Sequence, residues 1–251
     1  MDGTLLNSRH EVSNRFFELF QELKKRNIQF VAASGRQYHS MVEKLDEIKN
    51  DIIFISENGA FVKEGDEELS VTPIKQGLIQ ELLDIVDSID GGYAMLCGKY
   101  KSYLDGSSRS FLEEIKEYYS CYEVVNDYTT VTDEIVKIAV YHGISAEEFI
   151  YPKTKHLTDQ VTATASGPNR ADLNQPDAHT GNALQKVMDA YDIQSDEVLV
   201  FGDYNNDIEM LKLSEYSFAM ANAHPNVKKV ARYDTASHND FGVERILEKL
   251  L

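Results

Sequence analysis

Val198-Leu199-Val200-Phe201-Gly202-Asp203-Tyr204-Asn205-Asn206-Asp207-Ile208 joins four apolar residues to a turn crowded with oxygen side chains. The apolar run is short and ends at glycine, the pattern of a buried strand, and helical spacing begins at Asn206. A strand that ends in a polar turn and opens a helix places that turn at the carboxyl edge of a parallel sheet. Open α/β folds bind their ligands at that edge. Asp203, Asn205, Asn206 and Asp207 form a hard-oxygen cluster suited to Mg²⁺. A capped helix start would use the same residues, with Asp203 or Asn205 bonding backbone N–H groups. A calcium loop does not fit, because Ile208 stands at its glycine position and Ser214 at its bidentate glutamate position.

The same pattern recurs upstream. The apolar run 28–33 ends at Ser34-Gly35-Arg36, where a hydroxyl and loop amides could cradle a phosphate. The run 52–55 ends at Ser56-Glu57-Asn58-Gly59, which by itself reads as a turn. Helices are expected over 14–26, after the N-cap Ser13, and over 37–48. Asp2, in Met1-Asp2-Gly3-Thr4-Leu5-Leu6, stands where another strand should just have ended. One parallel sheet would therefore carry Asp2, Ser34, Asn58 and Asp203 to a single edge.

Between 73 and 176 the rhythm changes. Helices are expected over 78–89, 108–119 and 146–155, and short strands over 93–96, 101–104, 121–125, 135–141, 161–165 and 170–173. Grouped strands of this kind indicate an α+β insert. The organisation read from the chain is a core of residues 1–72 and 177–251 with a cap of residues 73–176. The last third returns to α/β alternation, with a helix over 182–191 and strands over 198–201 and 217–220.

The 251 residues carry a formal charge of −17, which argues against nucleic acid or an anionic membrane as partner. No apolar run approaches the roughly 20 residues of a membrane span, and no signal peptide is visible. Cys97 and Cys121 do not make a disulfide scaffold, so a cytoplasmic location is expected. His39, His142 and His156 lack metal-ligand spacing and read as structural or solvent-facing. Tyr100, Tyr103, Tyr118 and Tyr119 read as interior packing ahead of pocket lining. Oligomeric state is not legible.

Taken in order, D-G-T-L-L, A-S-G-R, E-N-G-A, G-D-Y-N-N-D-I-E-M-L and the later A-M-A-N-A resemble the haloacid dehalogenase (HAD) phosphatases of the Cof type, subfamily IIB. The resemblance spans nearly the whole chain. It implies a Rossmann-like parallel-sheet core with an inserted α+β cap of the C2 type. It also implies Mg²⁺-dependent hydrolysis of a small phosphorylated metabolite, such as a sugar phosphate, through an aspartyl phosphate. Asp2 matches the general acid/base, and Ser34, with Gly35, Arg36, Asn58 and Asn206, matches the phosphate-binding set. Asp203 and Asp207 match the metal-binding acids. The family's attacking Asp would stand two residues before Asp2, upstream of Met1, at the end of a central strand, so a longer natural chain is expected. Thr180 stands where the family usually has a catalytic Lys. Two alternatives share these residues: a non-catalytic phosphometabolite-binding or regulatory protein, and a phosphotransferase of the phosphomutase kind.

Overall fold

The computed structural model describes residues 1–106, 111–112, 116, 118–157 and 159–251. The expected helix over 108–119 lies largely outside them. The first helix, Asn14–Lys24, starts where Ser13 Oγ accepts a hydrogen bond from the Phe16 amide. Its apolar residues recur with helical spacing, so Phe16, Leu19, Phe20 and Leu23 all face inward. Burying each side chain contributes about 1.5–3 kcal/mol.

β1 (Phe30–Ala33) and β2 (Ile52–Ser56) pair in parallel, and β3 (Phe61–Glu64) and β4 (Glu67–Val71) extend the sheet as an antiparallel hairpin. A second sheet contains β5 (Gly92–Gly98), β6 (Ser102–Asp105), β7 (Tyr122–Val125), β8 (Ile135–His142), β9 (Thr162–Gly167) and β10 (Arg170–Asn174). Its order is β7-β6-β5-β8-β10-β9, and all its pairs are antiparallel except β6 with β7. A third sheet pairs β11 (Leu199–Gly202), β12 (Tyr216–Ala219) and β13 (Tyr233–Asp234) in parallel. The core is thus a Rossmann-like α/β unit, and the six-stranded sheet is an α+β insert between its two parts.

β1 and β11 belong to separately hydrogen-bonded sheets. Both help to line an apolar cavity of about 590 Å³, together with Leu5, Leu184 and Val187. The cavity explains why all four residues of β1 are only half-buried, whereas every residue of β2 is buried. The core is otherwise continuous from the first helix across β2 to Val187, Leu211 and Val227.

Buried polar contacts join the insert to the core. The Gln37 side-chain amide donates to Ser102 Oγ (3.0 Å) and the Cys121 carbonyl (2.7 Å), and it accepts from the Cys121 amide (3.0 Å). Lys137 of β8, fully buried, donates to the Gly35 carbonyl at 2.8 Å and pairs with Glu57 Oε2 at 2.6 Å. Its ammonium also lies 3.5 Å from Asp172 Oδ2. These contacts hold the insert against the loops that follow β1 and β2.

Candidate active site

Asp2 lies in the first turn of the chain, which Gly3 closes with φ +67°. A Cβ on Gly3 would run into the Asp203 carboxylate, and at this φ any residue but glycine is strained. Thr4 Oγ1 completes the junction by donating to Asp203 Oδ1 at 2.7 Å. Burial, reinforced by repulsion from Asp207, lifts the Asp203 carboxyl to about 6. Asp207 is buried, and that burial also raises its carboxyl; its Oδ2 accepts the amides of Asp203 (2.9 Å) and Tyr204 (3.3 Å).

Arg36 grips Asp2 with both ends of its fork. Nε donates to Oδ2 and Nη2 to Oδ1, each at 2.6 Å. Burial alone would raise Asp2, but the Arg36 hydrogen bonds and charge hold it well below the usual carboxylate range. His10 Nδ1 lies 3.1 Å from Asp2 Oδ1, and Arg36 Nη1 donates to Ser40 Oγ at 3.0 Å. Ser34 and Gly35 are fixed from the neighbouring loop. The Asn58 amide donates to the Ser34 carbonyl (3.1 Å), and the Glu57 amide donates to the Arg36 carbonyl (3.0 Å). Glu57, Asn58 and Gly59 all take positive φ, a backbone conformation that costs energy at Glu57.

Asp2, Ser34, Gly35, Arg36, Asn58, Asp203, Asn206 and Asp207 line one polar cavity of about 380 Å³. Of the candidate site residues, Asn205 and Thr180 stand apart: Asn205 Oδ1 accepts from Asn226 Nδ2 at 3.3 Å away from the cavity. Thr180 is buried behind the cavity wall, and its Oγ1 donates to the Asn206 carbonyl at 2.6 Å. The insert supplies the opposite wall, with Tyr118, Tyr119, Ser166, Arg170 and Asp172. Tyr118 and Tyr119, expected to favour packing, both reach this wall. Tyr100 is largely exposed, and Tyr103 is buried in the insert core. His39 and His142 serve backbone carbonyls, Tyr100 O and Asp90 O.

Sequence reasoning did not single out His10, Lys137, Arg170 or Asp172. Lys137 carried one available signal, a lone cation in the apolar run 135–140. His10, Arg170 and Asp172 carried none.

The donor set fits Mg²⁺. Among the described residues no three carboxylate, imidazole or thiolate side chains converge on an all-protein metal cage. Mg²⁺ needs less, since it is commonly held by one or two carboxylates with waters and phosphate oxygens. A half-buried Asp203 carboxyl raised to about 6 also gains from a neighbouring cation.

A family model described as haloacid dehalogenase-like hydrolase matches residues 1–247. The chain is 29% identical over 258 aligned residues to the 5-amino-6-(5-phospho-D-ribitylamino)uracil phosphatase YbjI of Escherichia coli (strain K12), covering 100% of this chain and 94% of the relative. It is 24% identical over 262 residues to the 5-amino-6-(5-phospho-D-ribitylamino)uracil phosphatase YitU of Bacillus subtilis (strain 168), covering 99% and 94%. The crystal structure of SMU.1108c from Streptococcus mutans UA159 superposes with a TM-score of 0.91 at 30% identity, covering 100% of this chain and 96% of the other.

Proposed function

The chain belongs to the haloacid dehalogenase-like hydrolases, and we propose that it is a Mg²⁺-dependent phosphomonoesterase acting on small phosphorylated metabolites of the sugar-phosphate kind. The observation that carries this reading is the convergence of Asp2, Ser34 and Asp203 on one polar cavity, from three segments far apart in the chain. The phosphorylated ribityl chain in the names of two relatives favours a polyol or sugar phosphate.

Ser34 Oγ, which accepts the Arg36 amide at 3.2 Å, and the Gly35 amide bind the phosphoryl oxygens. A phosphate dianion seated there competes with Asp2 for the Arg36 guanidinium. When Arg36 turns to the phosphate, the hydrogen bonds that most depress Asp2 are lost and its carboxyl moves back up. Asp2 can then hold the proton that the leaving oxygen needs, and afterwards take one from water. Asp203 and Asp207 are the carboxylates that would hold Mg²⁺, which supplies neutralisation of the phosphoryl charge. Lys137 fixes Gly35 through its carbonyl, so the insert orients the phosphate loop and, as a cap, screens the cavity from water.

The attacking group in this reading is an aspartate at the end of a strand seated between β1 and β11, where the apolar cavity opens beside Met1 and Leu5. Covalent attack by such a group divides one hard displacement into two easier steps.

Phosphate release from aryl and sugar phosphates, with and without Mg²⁺, tests the reading. It is measured on this chain and on one extended at Met1 by an apolar strand ending in Asp. Turnover that Asp203→Ala abolishes is the expected result. Silence from both proteins, with saturable phosphate-ester binding, would overturn catalysis and leave a binding protein.

A further inference from the structure

Arg170 opens β10, where its backbone pairs with Tyr141 on one side and Gly167 on the other. This hairpin brings its guanidinium to the insert wall of the polar cavity, across from Asp2 and Asp203. Among the described residues two cationic side chains line that cavity, Arg36 and Arg170, and one ring carries both. The Tyr118 centroid lies 4.8 Å from Arg36 Cζ and 4.1 Å from Arg170 Cζ.

Their partners differ. Arg36 is paired with the Asp2 carboxylate, and in the reaction proposed above it serves the phosphoryl group being cleaved. Arg170 donates from Nη2 to the neutral Ser166 carbonyl at 3.1 Å, and among the described residues it pairs with no carboxylate. Asp172, two residues along the same strand and so on the same face, is already engaged. Its Oδ1 accepts from Ser166 Oγ (3.1 Å), and its Oδ2 accepts from Asn58 Nδ2 (2.7 Å) near the Lys137 ammonium. Among the described residues, therefore, a guanidinium without a carboxylate partner faces the cavity in a chain of net charge −17.

We propose that Arg170 binds a second anionic oxygen group on the leaving-group end of the substrate. The preferred phosphomonoester then carries a carboxylate or another phosphate away from the ester being cleaved. This deepens the phosphomonoesterase reading and rests on it. The opposite wall holds Asp2, Asp203 and Asp207 and repels such a group, so the charged tail is directed to the insert. The Tyr118 ring is already packed by two guanidiniums, which leaves the Arg170 fork as the recognising group. Its planar, fixed donors match either oxyanion.

Calorimetric binding of three non-hydrolysable probes in Mg²⁺ buffer tests this: propylphosphonate, phosphonopropionate and propylene bisphosphonate. The native protein should bind one or both charged-tail probes roughly 10- to 100-fold more tightly than propylphosphonate, the range of a charge-assisted hydrogen-bonded pair. The tighter of the two identifies the tail as carboxylate or phosphate. Arg170→Met should abolish the preference for a charged tail, over and above any loss that all three probes share, and Arg170→Lys should restore part of it. Propylphosphonate binding with no preference in the native protein, or a preference that survives in Arg170→Met, overturns the role of Arg170 alone. No binding of any probe to protein with a native melting curve overturns the phosphate-site reading and this inference with it.

Discussion

Lys137→Met removes the charge that joins the insert to the core while keeping most of the side chain's bulk. The ammonium is fully buried and has three oxygens around it: Glu57 Oε2 at 2.6 Å, the Gly35 carbonyl at 2.8 Å and Asp172 Oδ2 at 3.5 Å. Burial would lower its pKa, but Asp172 and Glu57 hold it well above the ordinary lysine value. Asp172 keeps hydrogen bonds from Asn58 and Ser166 after the change. Glu57 does not, since among the described residues neither of its buried oxygens accepts a hydrogen bond from elsewhere. Breaking one side of a buried pair costs about 3–5 kcal/mol because a charge is left uncompensated. A typical domain has only about 5–15 kcal/mol in total, so the effect is large.

Urea unfolding gives the loss as a shift in midpoint at constant slope. Adding Glu57→Gln removes the stranded charge, so the double variant should recover part of the loss, with a coupling of about 1–3 kcal/mol. The sign of the pH dependence is also fixed. A lysine whose folded pKa is raised contributes fully below its unfolded value of about 10.4 and loses that contribution only as pH rises through the folded value. Burial already pushes the Glu57 carboxyl up and Lys137 holds it down, so in Lys137→Met that carboxyl rises further. The difference between native protein and variant should therefore widen as pH rises and forces Glu57 to ionise unpaired. A loss under about 1 kcal/mol, or strict additivity in the double variant, refutes the assignment of the pair as the junction's main polar contact.

Gly59→Ala should be severely destabilising, by more than about 2 kcal/mol in urea, because φ is +100° and the new Cβ would meet the His179 carbonyl carbon and oxygen at 2.5 Å. Asp203, raised from 3.8 to about 6, makes the fold less stable as pH climbs between those values, since the folded form holds the proton longer. Mg²⁺ must displace that proton, so its upward shift of the melting temperature should be small near pH 5, grow through about pH 6 and level off by about pH 7. Asp203→Asn should abolish the shift. Asp2 behaves in the opposite sense. Its carboxyl is depressed, so its contribution is present above the ordinary value of 3.8 and lost as pH falls below it, and Arg36→Gln should flatten that acid limb of the stability curve. Thr180→Val leaves the Asn206 carbonyl without its 2.6 Å donor, which should cost about 1 kcal/mol and weaken binding of propylphosphonate.

The legible part of this fold is the part written in contiguous residues. Apolar runs closed by Ser34-Gly35, Asn58-Gly59 and Gly202-Asp203 are complete strand-to-turn units, so their placement at one cavity follows from the chain alone. The β3–β4 hairpin was missed although Glu64-Gly65-Asp66-Glu67 has the composition of its turn, because charged strands on a sheet edge lack the apolar alternation that marks a strand. The insert's contribution is of another kind. Lys137 and Gly35 are 102 residues apart, Gln37 and Cys121 are 84 apart, and Asn58 and Asp172 are 114 apart. Each contact depends on strand registers that only the assembled sheet sets, since a slip of one residue in β10 would turn Arg170 and Asp172 to its other face. The phosphate end of the site is therefore encoded locally by the core and can be read as motifs. The leaving-group end is encoded by tertiary pairing, and so Ser34 and Asp203 were visible as chemistry while Arg170 became visible only as a position on a wall.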